Sequence, residues 1–327
     1  MNSFIFALNA VAPIIITVAV GYILKKVGLI PINVANAMNK LVFRLLLPSM
    51  LFLNVYNIES FKNVELGYVI YALVALVIVF LVSIPFVMLI TRPYRLRRSL
   101  LQSIFRSNNA LIGIPLAESL YGAQGVIAAS LLSAAIIPSF NILAVISLSL
   151  FSSNGEKPSV KKILHDIVKN PLVDAIFLGI FALIIRSFFV RMNIDFRLAD
   201  ITPAFSVLKS LSNAATPIAL LVLGAQFEFS AVGALKKEII FGSVMRTLIV
   251  PFFVLGIAYI FFKDFTGAHF ATLVAAFATP VAVSSVPMAQ EMDGDVALSG
   301  QLVVWTTLVS SVTLFLFSFA LKSLGVF

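Results

Sequence analysis

Residues Arg98–Gly122 read RSLLQSIFRSNNALIGIPLAESLYG. An apolar run is broken at its middle by Asn108, Asn109, Gly113 and Pro115. Proline withholds a backbone donor and leaves a carbonyl without its helical partner. Glycine lowers the cost of unwinding. A second stretch, His269–Met292, reads HFATLVAAFATPVAVSSVPMAQEM and carries Thr279, Pro280, Ser284, Ser285 and Pro287 at the corresponding depth. Each stretch reads as a helix that loses its winding halfway. In hydrocarbon, backbone groups freed in this way must be satisfied by protein, water or ligand. Asn108 and Asn109 offer donors and acceptors for that purpose, and Ser284 and Ser285 do so from the other side.

The composition sets the solvent. Of 327 residues, 61% are hydrophobic and 11% charged; soluble domains run near ~45–50% and ~25%. Mean hydropathy is +1.08. These values exclude a soluble globular domain and a disordered chain. The chain holds no Cys, which excludes a disulfide scaffold and a thiolate site. His165 and His269 stand apart, so no metal site is expected. No phosphate-binding GxxxxGK[ST] loop, GxSxG or HExxH occurs, so neither ATP-driven transport nor an enzyme is expected. No cofactor is implied.

Roughly 20 apolar residues cross a bilayer as a helix. The expected fold is an all-α polytopic membrane protein with ten transmembrane helices. The spans fall near 7–24, 41–56, 66–90, 100–120, 126–150, 171–190, 205–227, 239–262, 269–289 and 296–319. Net charge is +9. In a soluble chain that would raise nucleic acid as a partner; here the cations read as a topology signal, because cytoplasmic loops collect Lys and Arg. With the amino terminus outside, fourteen of the 23 basic residues fall on inward connections and seven on outward ones. Arg106 and Arg246 fall inside spans. The expectation is a multi-pass protein of the cell membrane with both termini extracytoplasmic. Three Arg between 186 and 204 argue the other way, and nine spans are the rival count. Lys25 and Lys26 follow the first apolar run instead of preceding it, so that run reads as a retained helix.

The spans divide five and five around a basic segment. Residues 1–151 are expected to form one repeat, 152–169 a cytoplasmic linker and 170–327 a second repeat. An odd number of spans per half inverts the second, the plan of many secondary transporters. Pro48 and Pro217 stand 169 residues apart, and the same offset carries Pro115 to between Pro280 and Pro287. Two inverted five-helix repeats are therefore expected, with broken helices four and nine crossed near mid-membrane. Their half-helix starts would hold an anion through backbone N–H groups and positive dipole ends.

Other polar residues are candidates for the path or its gates. Arg106 lies about one turn inward of Asn109 and could draw an anion toward the crossing or neutralise its carboxylate, or else snorkel to the cytoplasmic face. Arg44 and Arg246 read as arginines snorkelling to a membrane face. Glu118 follows the first break, and Glu291, Asp293 and Asp295 follow the second. Asn213, Thr216, Pro217 and Gln226 form a polar stripe in the seventh span.

The run Asn108–Leu116, continued to Tyr121–Gly122, resembles the fourth-span signature of the auxin efflux carrier superfamily. Thr279–Pro280 through Glu291 is similar to its ninth span. The likeness extends over the chain's length and its short central connection. It implies a ten-helix fold of the bile-acid sodium symporter and sodium/proton antiporter type. Spans one, two, six and seven would form a scaffold, often a homodimer, and three to five and eight to ten the moving unit. It implies a secondary transporter of small organic anions, either auxin-like carboxylates or dicarboxylates such as malate and malonate, with proton or sodium coupling open. Asn108 matches the family's crossing asparagine; Pro115 and Pro280 match its prolines. Where plant members carry a second proline, five residues after the first, this chain has Ser285, and Pro287 comes two later. A sodium- or proton-coupled carrier of another solute and a non-transporting membrane receptor or scaffold are the rival readings.

Overall fold

The computed structural model describes residues 2–57, 66–151, 160–194 and 196–327. Within them, the side chains of residues 2–11, 66, 110, 160 and 162 are not described. Lys62, Lys157 and the first part of the expected linker, 152–159, lie outside the described residues.

The described chain is helical throughout, apart from short turns and one isolated antiparallel bridge. Backbone polar groups in hydrocarbon have no water, so apolar runs satisfy them within helices. In chain order the helices are α1 (Asn2–Lys26), α2 (Ile32–Leu41), α3 (Leu47–Tyr56), α4 (Leu66–Ile90), α5 (Tyr94–Phe105), α6 (Ile114–Leu150), α7 (Val160–Val168) and α8 (Pro171–Arg191). They continue with α9 (Thr202–Gln226), α10 (Ala231–Ala234), α11 (Lys236–Val244), α12 (Val250–Phe261), α13 (Gly267–Phe277), α14 (Ser285–Glu291) and α15 (Val296–Ser323). Single wide π turns at Val42–Leu46 and Met245–Ile249 join α2 to α3 and α11 to α12 without ending the helix.

Apolar side chains face outward as well as inward, and this identifies the solvent. On α4, Ala72, Leu76, Phe80 and Val87 are buried while Ile70, Val74, Ile78 and Leu81 are exposed. On α8, Phe177, Leu178, Phe181, Ile184 and Phe188 stand exposed. Apolar surface on this scale is stable against lipid tails, not water. The chain is a multi-pass membrane protein embedded in a bilayer.

The expected count of ten spans is corrected. Among the described residues, seven helices are long and apolar enough to cross a membrane, and Gly267–Phe277 is a shorter apolar helix. No arrangement of two inverted five-helix repeats with a crossed pair is evident. The fourth and ninth runs are each broken, which removes two spans, and α1 is not among the seven. The fourth run splits at its break, leaving α5 at 12 residues and, beyond the break, a short half-helix that a kink at Tyr121 and Gly122 separates from the helix of the fifth run; α6 covers both. At that kink Tyr121 (φ −141°, ψ 23°) and Gly122 (φ 57°, ψ −149°) leave helical geometry. The ninth run splits into α13 of 11 residues and α14 of 7. At 1.5 Å per residue each is far short of a bilayer.

Helices pack closely where glycine allows it. α1 lies along α9 and α15, α13 along α6, and α3 along α8. Gly21 of α1 faces the backbone of Leu221, and Gly224 of α9 faces the backbone of Val18. A Cβ at either position would overlap a carbonyl oxygen that cannot move aside. Small residues let membrane helices approach in this way. Gly224→Val is predicted to force α1 and α9 apart at a cost of about 1–3 kcal/mol. A fall in Tm of several degrees in detergent, with Gly256→Val unchanged because that position is open, checks it.

Candidate functional site

The two breaks lie side by side. α5 stops at Phe105 because Arg106 turns to extended geometry, φ −85° and ψ 111°. Asn108 follows at φ −85° and ψ 50°, and the chain rewinds through a π turn at Asn109–Gly113 into α6. The second break runs from Ala278 to Ser284, between α13 and α14. Ser107 and Val281 form the antiparallel bridge. The Asn108 N–H donates to the Pro280 carbonyl at 2.8 Å, and the Ala282 N–H donates to the Arg106 carbonyl at 3.4 Å. The Val281 N–H donates to Thr306 Oγ1 of α15 at 3.1 Å. Each break thus supplies partners for groups the other frees, as a membrane interior demands.

Arg246 holds the helix ends that lead into the breaks. It is fully buried, carried inward by the π turn between α11 and α12. Its Nε donates to the Thr279 carbonyl at 2.9 Å. Nη1 donates to Ile104 and Phe105 at 3.3 and 3.0 Å, and Nη2 to Ala276 at 3.2 Å. The Thr279 carbonyl belongs to the break just beyond α13, and those of Ile104, Phe105 and Ala276 to the carboxyl ends of α5 and α13. Such ends carry unpaired carbonyls and about half a negative charge each. One guanidinium therefore meets two helix ends with matching charge. The reading of Arg246 as a snorkelling residue is corrected: it lies about 15 Å along the helix from Lys236, farther than its side chain reaches.

Beside the breaks is a small cavity, about 50 Å³ as swept by the centre of a water-sized sphere. A few waters would fill it. Asn54, Arg106, Ser107, Asn108, Asn141, Thr216 and Ser284 give it polar groups, and Leu47, Met50, Leu51, Ile137, Phe140 and Leu172 give it apolar wall. Arg106 is 3% exposed. Its Nη2 donates to Asn141 Oδ1 at 2.8 Å and Ser284 Oγ at 2.9 Å, and its Nη1 contacts Met288 Sδ. Every one of these partners is neutral. The ion pairs among the described residues are Arg44–Glu291, Arg95–Asp293 and Arg98–Asp293, and no Asp or Glu lines the cavity. Ser107 Oγ is buried with no partner.

The structure sorts the expected site residues into groups. Arg106, Asn108, Ser284 and Thr216 meet in the cavity. Asn109 turns away and donates to Ser133 Oγ of α6 at 2.7 Å. Gly113 packs under the Ala275 carbonyl, too close for a side chain. Thr279 is buried and its hydroxyl donates back to Ala275 at 2.8 Å. Pro280 lends its carbonyl to Asn108. Ser285 and Pro287 are buried outside the cavity lining, and the Ser285 hydroxyl has no partner. Pro115, Glu118, Asn213 and Pro217 are exposed, and Pro48 is half-buried. Asn54, Ser107 and Asn141, which the sequence reading does not single out, also line the cavity. Asn141 was detectable as an amide inside the apolar run Ile136–Ile142.

Gln226 and Glu291 sit one level away. Gln226 Nε2 donates to Asn36 Oδ1 at 2.9 Å and to Gln290 Oε1 at 2.7 Å, tying α14 to α2 and α9. Glu291 pairs with Arg44 at 3.5 Å, next to a wider space of about 690 Å³ bordered by Tyr94, Arg98, His165, Asp166, Lys169 and Asp293. Phe43 and Arg44 border the wide space, and Leu47 the cavity four residues on. Asn141 borders the cavity and Leu148 the wide space. The two spaces therefore stack along α6, α14 and the α2–α3 helix.

A lipid-facing exterior, interrupted helices and a cavity of mixed polar and apolar lining beside the breaks together define a polytopic transporter of a small solute. The chain matches the membrane transport protein family over residues 6–318 and belongs to it. It is 24% identical to an uncharacterised transporter of the archaeon Methanothermobacter thermautotrophicus, an alignment covering 97% of this chain and 99% of that one. The family makes this chain a transporter, not an enzyme, and bears out the resemblance to a permease.

Arg246→Met is predicted to leave four carbonyls without a donor, each at a cost of about 1–3 kcal/mol. The measurement is thermal unfolding in detergent, with loss of folded protein or a Tm drop far beyond that of Arg44→Met. An unchanged Tm would show that the helix ends do not need the guanidinium.

Proposed function

We propose that the chain carries a small organic anion across the membrane by alternating access, with the solute's carboxylate on Arg106. The observation that supports this most is a buried guanidinium on a cavity wall with no acidic partner among the described residues. Arginine stays protonated in proteins, and a buried charge is stable only when paired. A carboxylate matches the guanidinium fork in shape and charge. Asn108, Ser284 and Ser107 would bond its remaining lone pairs, while Asn141 holds the guanidinium in place. Leu47, Met50, Leu51 and Phe140 would cover a carbon skeleton. The solutes that fit are dicarboxylates such as malate and malonate and auxin-like carboxylates.

The cavity is tight for any of them. Binding would therefore accompany separation of the wall built by α3 and α9 from the wall built by α6 and α14. The Asn36–Gln226–Gln290 contacts and the Arg44–Glu291 pair bridge these walls and would part as the wider space opens inward. Pro48, Pro217 and the exposed Glu118 and Asn213 stand away from the solute in this scheme. A cation-coupled carrier of another solute is the weaker reading, because the cavity lining offers no carboxylate for sodium or a proton. An inside-negative potential favours export of an anion by about 2.3 kcal/mol per charge per 100 mV; import would need a proton carried on the solute or a coupled ion.

The test is counterflow in proteoliposomes with labelled malate, malonate, succinate and indole-3-acetate. At least one is expected to exchange. Arg106→Gln is predicted to abolish that exchange, and Asn108→Ala to lower it about tenfold or more, with both proteins inserted and folded. Exchange at the wild-type rate by Arg106→Gln would refute the assignment.

A further inference from the structure

The two arginines buried at the breaks differ in how their charge is balanced. Arg246 is bound by carbonyls from two helix carboxyl ends, together about one negative charge. Arg106 has an amide oxygen, a hydroxyl and a thioether. Hydrogen bonds of that kind orient the guanidinium without neutralising it. The cavity lining contains no Asp, Glu, Lys or His. The empty site therefore carries one net positive charge in a medium where an unbalanced charge is costly.

That imbalance fixes how much charge the solute should bring. One carboxylate cancels it. Two ionised carboxylates would overshoot and leave a buried negative charge with nothing to meet it. We propose that the cavity accepts its solute as a net monoanion, and that the unbalanced guanidinium of the empty site makes exchange of solutes faster than net transport. This rests on the anion reading above. A monocarboxylate satisfies it directly, and a dicarboxylate does so with one carboxyl protonated, the second carboxyl lying as a neutral acid. The loaded site is then neutral and reorients without moving charge. The empty site must carry its cation through the same low-dielectric passage, so the return of the empty carrier limits net flux.

The experiment uses wild-type protein in proteoliposomes with the same four labelled acids. Counterflow is compared with net efflux into solute-free buffer, each under a potassium–valinomycin potential of either sign and at zero. For each acid carried, counterflow is expected to exceed net efflux by about tenfold or more and to ignore the potential. Net efflux is expected to change with it. For a dicarboxylate, KM at the outer face is expected to rise roughly tenfold per pH unit above the acid's second pKa, following the monoanion fraction. For indole-3-acetate, which is a monoanion across neutral pH, KM is expected to stay flat. Net efflux as fast as counterflow, voltage-dependent counterflow, or a dicarboxylate KM indifferent to pH overturns the proposal and leaves the anion reading standing. Absence of counterflow with every acid overturns both.

Discussion

Two helices that stop inside a membrane leave their last carbonyls facing hydrocarbon, and this chain answers that constraint with one side chain. Arg246 reaches the carboxyl ends of α5 and α13 together. Because both ends converge on it, the extended residues that follow them also run together. The antiparallel bridge between Ser107 and Val281 is the consequence. The cavity, the orientation of Arg106 and the position of Asn108 all depend on that meeting.

The division of labour between the two arginines follows from what surrounds them. Arg246 is wrapped in backbone and lines neither the cavity nor the wider space. Arg106, at the residue where α5 ends, swings toward α6 and α14 and lies on a cavity wall. The same residue type is a structural clamp in one setting and, on the proposed reading, a binding charge in the other. The difference is whether helix ends or neutral side chains supply the partners. Around the site, α13 and α6 pack tightly, with Ala117, Ala129, Ala271 and Ala275 buried between them. Small residues there bring the backbones close and leave little freedom to the half of the site they support. The opposite wall, from α3 and α9, is tied on through amides and one ion pair, contacts weak enough to break and re-form.

Much of this was legible in the sequence, and the reasons are local. Pro280 lies within the second break, but the first falls at Arg106–Asn108, ahead of Gly113 and Pro115, which are themselves helical. Asn108 and Ser284 were legible as polar groups at the same depth. The global plan was not. Apolar run length counts spans well only when each run is one helix, and here two runs are each two pieces. Seven long spans among the described residues replace the expected ten. Asn109 shows a second limit: adjacent asparagines at a break look equivalent in sequence, but the π turn sends the second toward Ser133. Arg246 could have been recognised by depth. It stands ten residues from Lys236, and an arginine that far from a helix end needs an internal partner.

The central claim is that Arg106 presents an unbalanced charge to the solute. Asn141 accepts a hydrogen bond from Arg106 at 2.8 Å, so Asn141→Asp would place a carboxylate of almost the same shape against the guanidinium. Equilibrium binding of labelled malonate and indole-3-acetate to purified protein, with Tm recorded alongside, measures the effect. The account predicts that the variant stays folded and that the acid bound by the wild type loses about a hundredfold or more in affinity, because the site is already neutral. A folded Asn141→Asp protein that binds the acid as tightly as the wild type would contradict it.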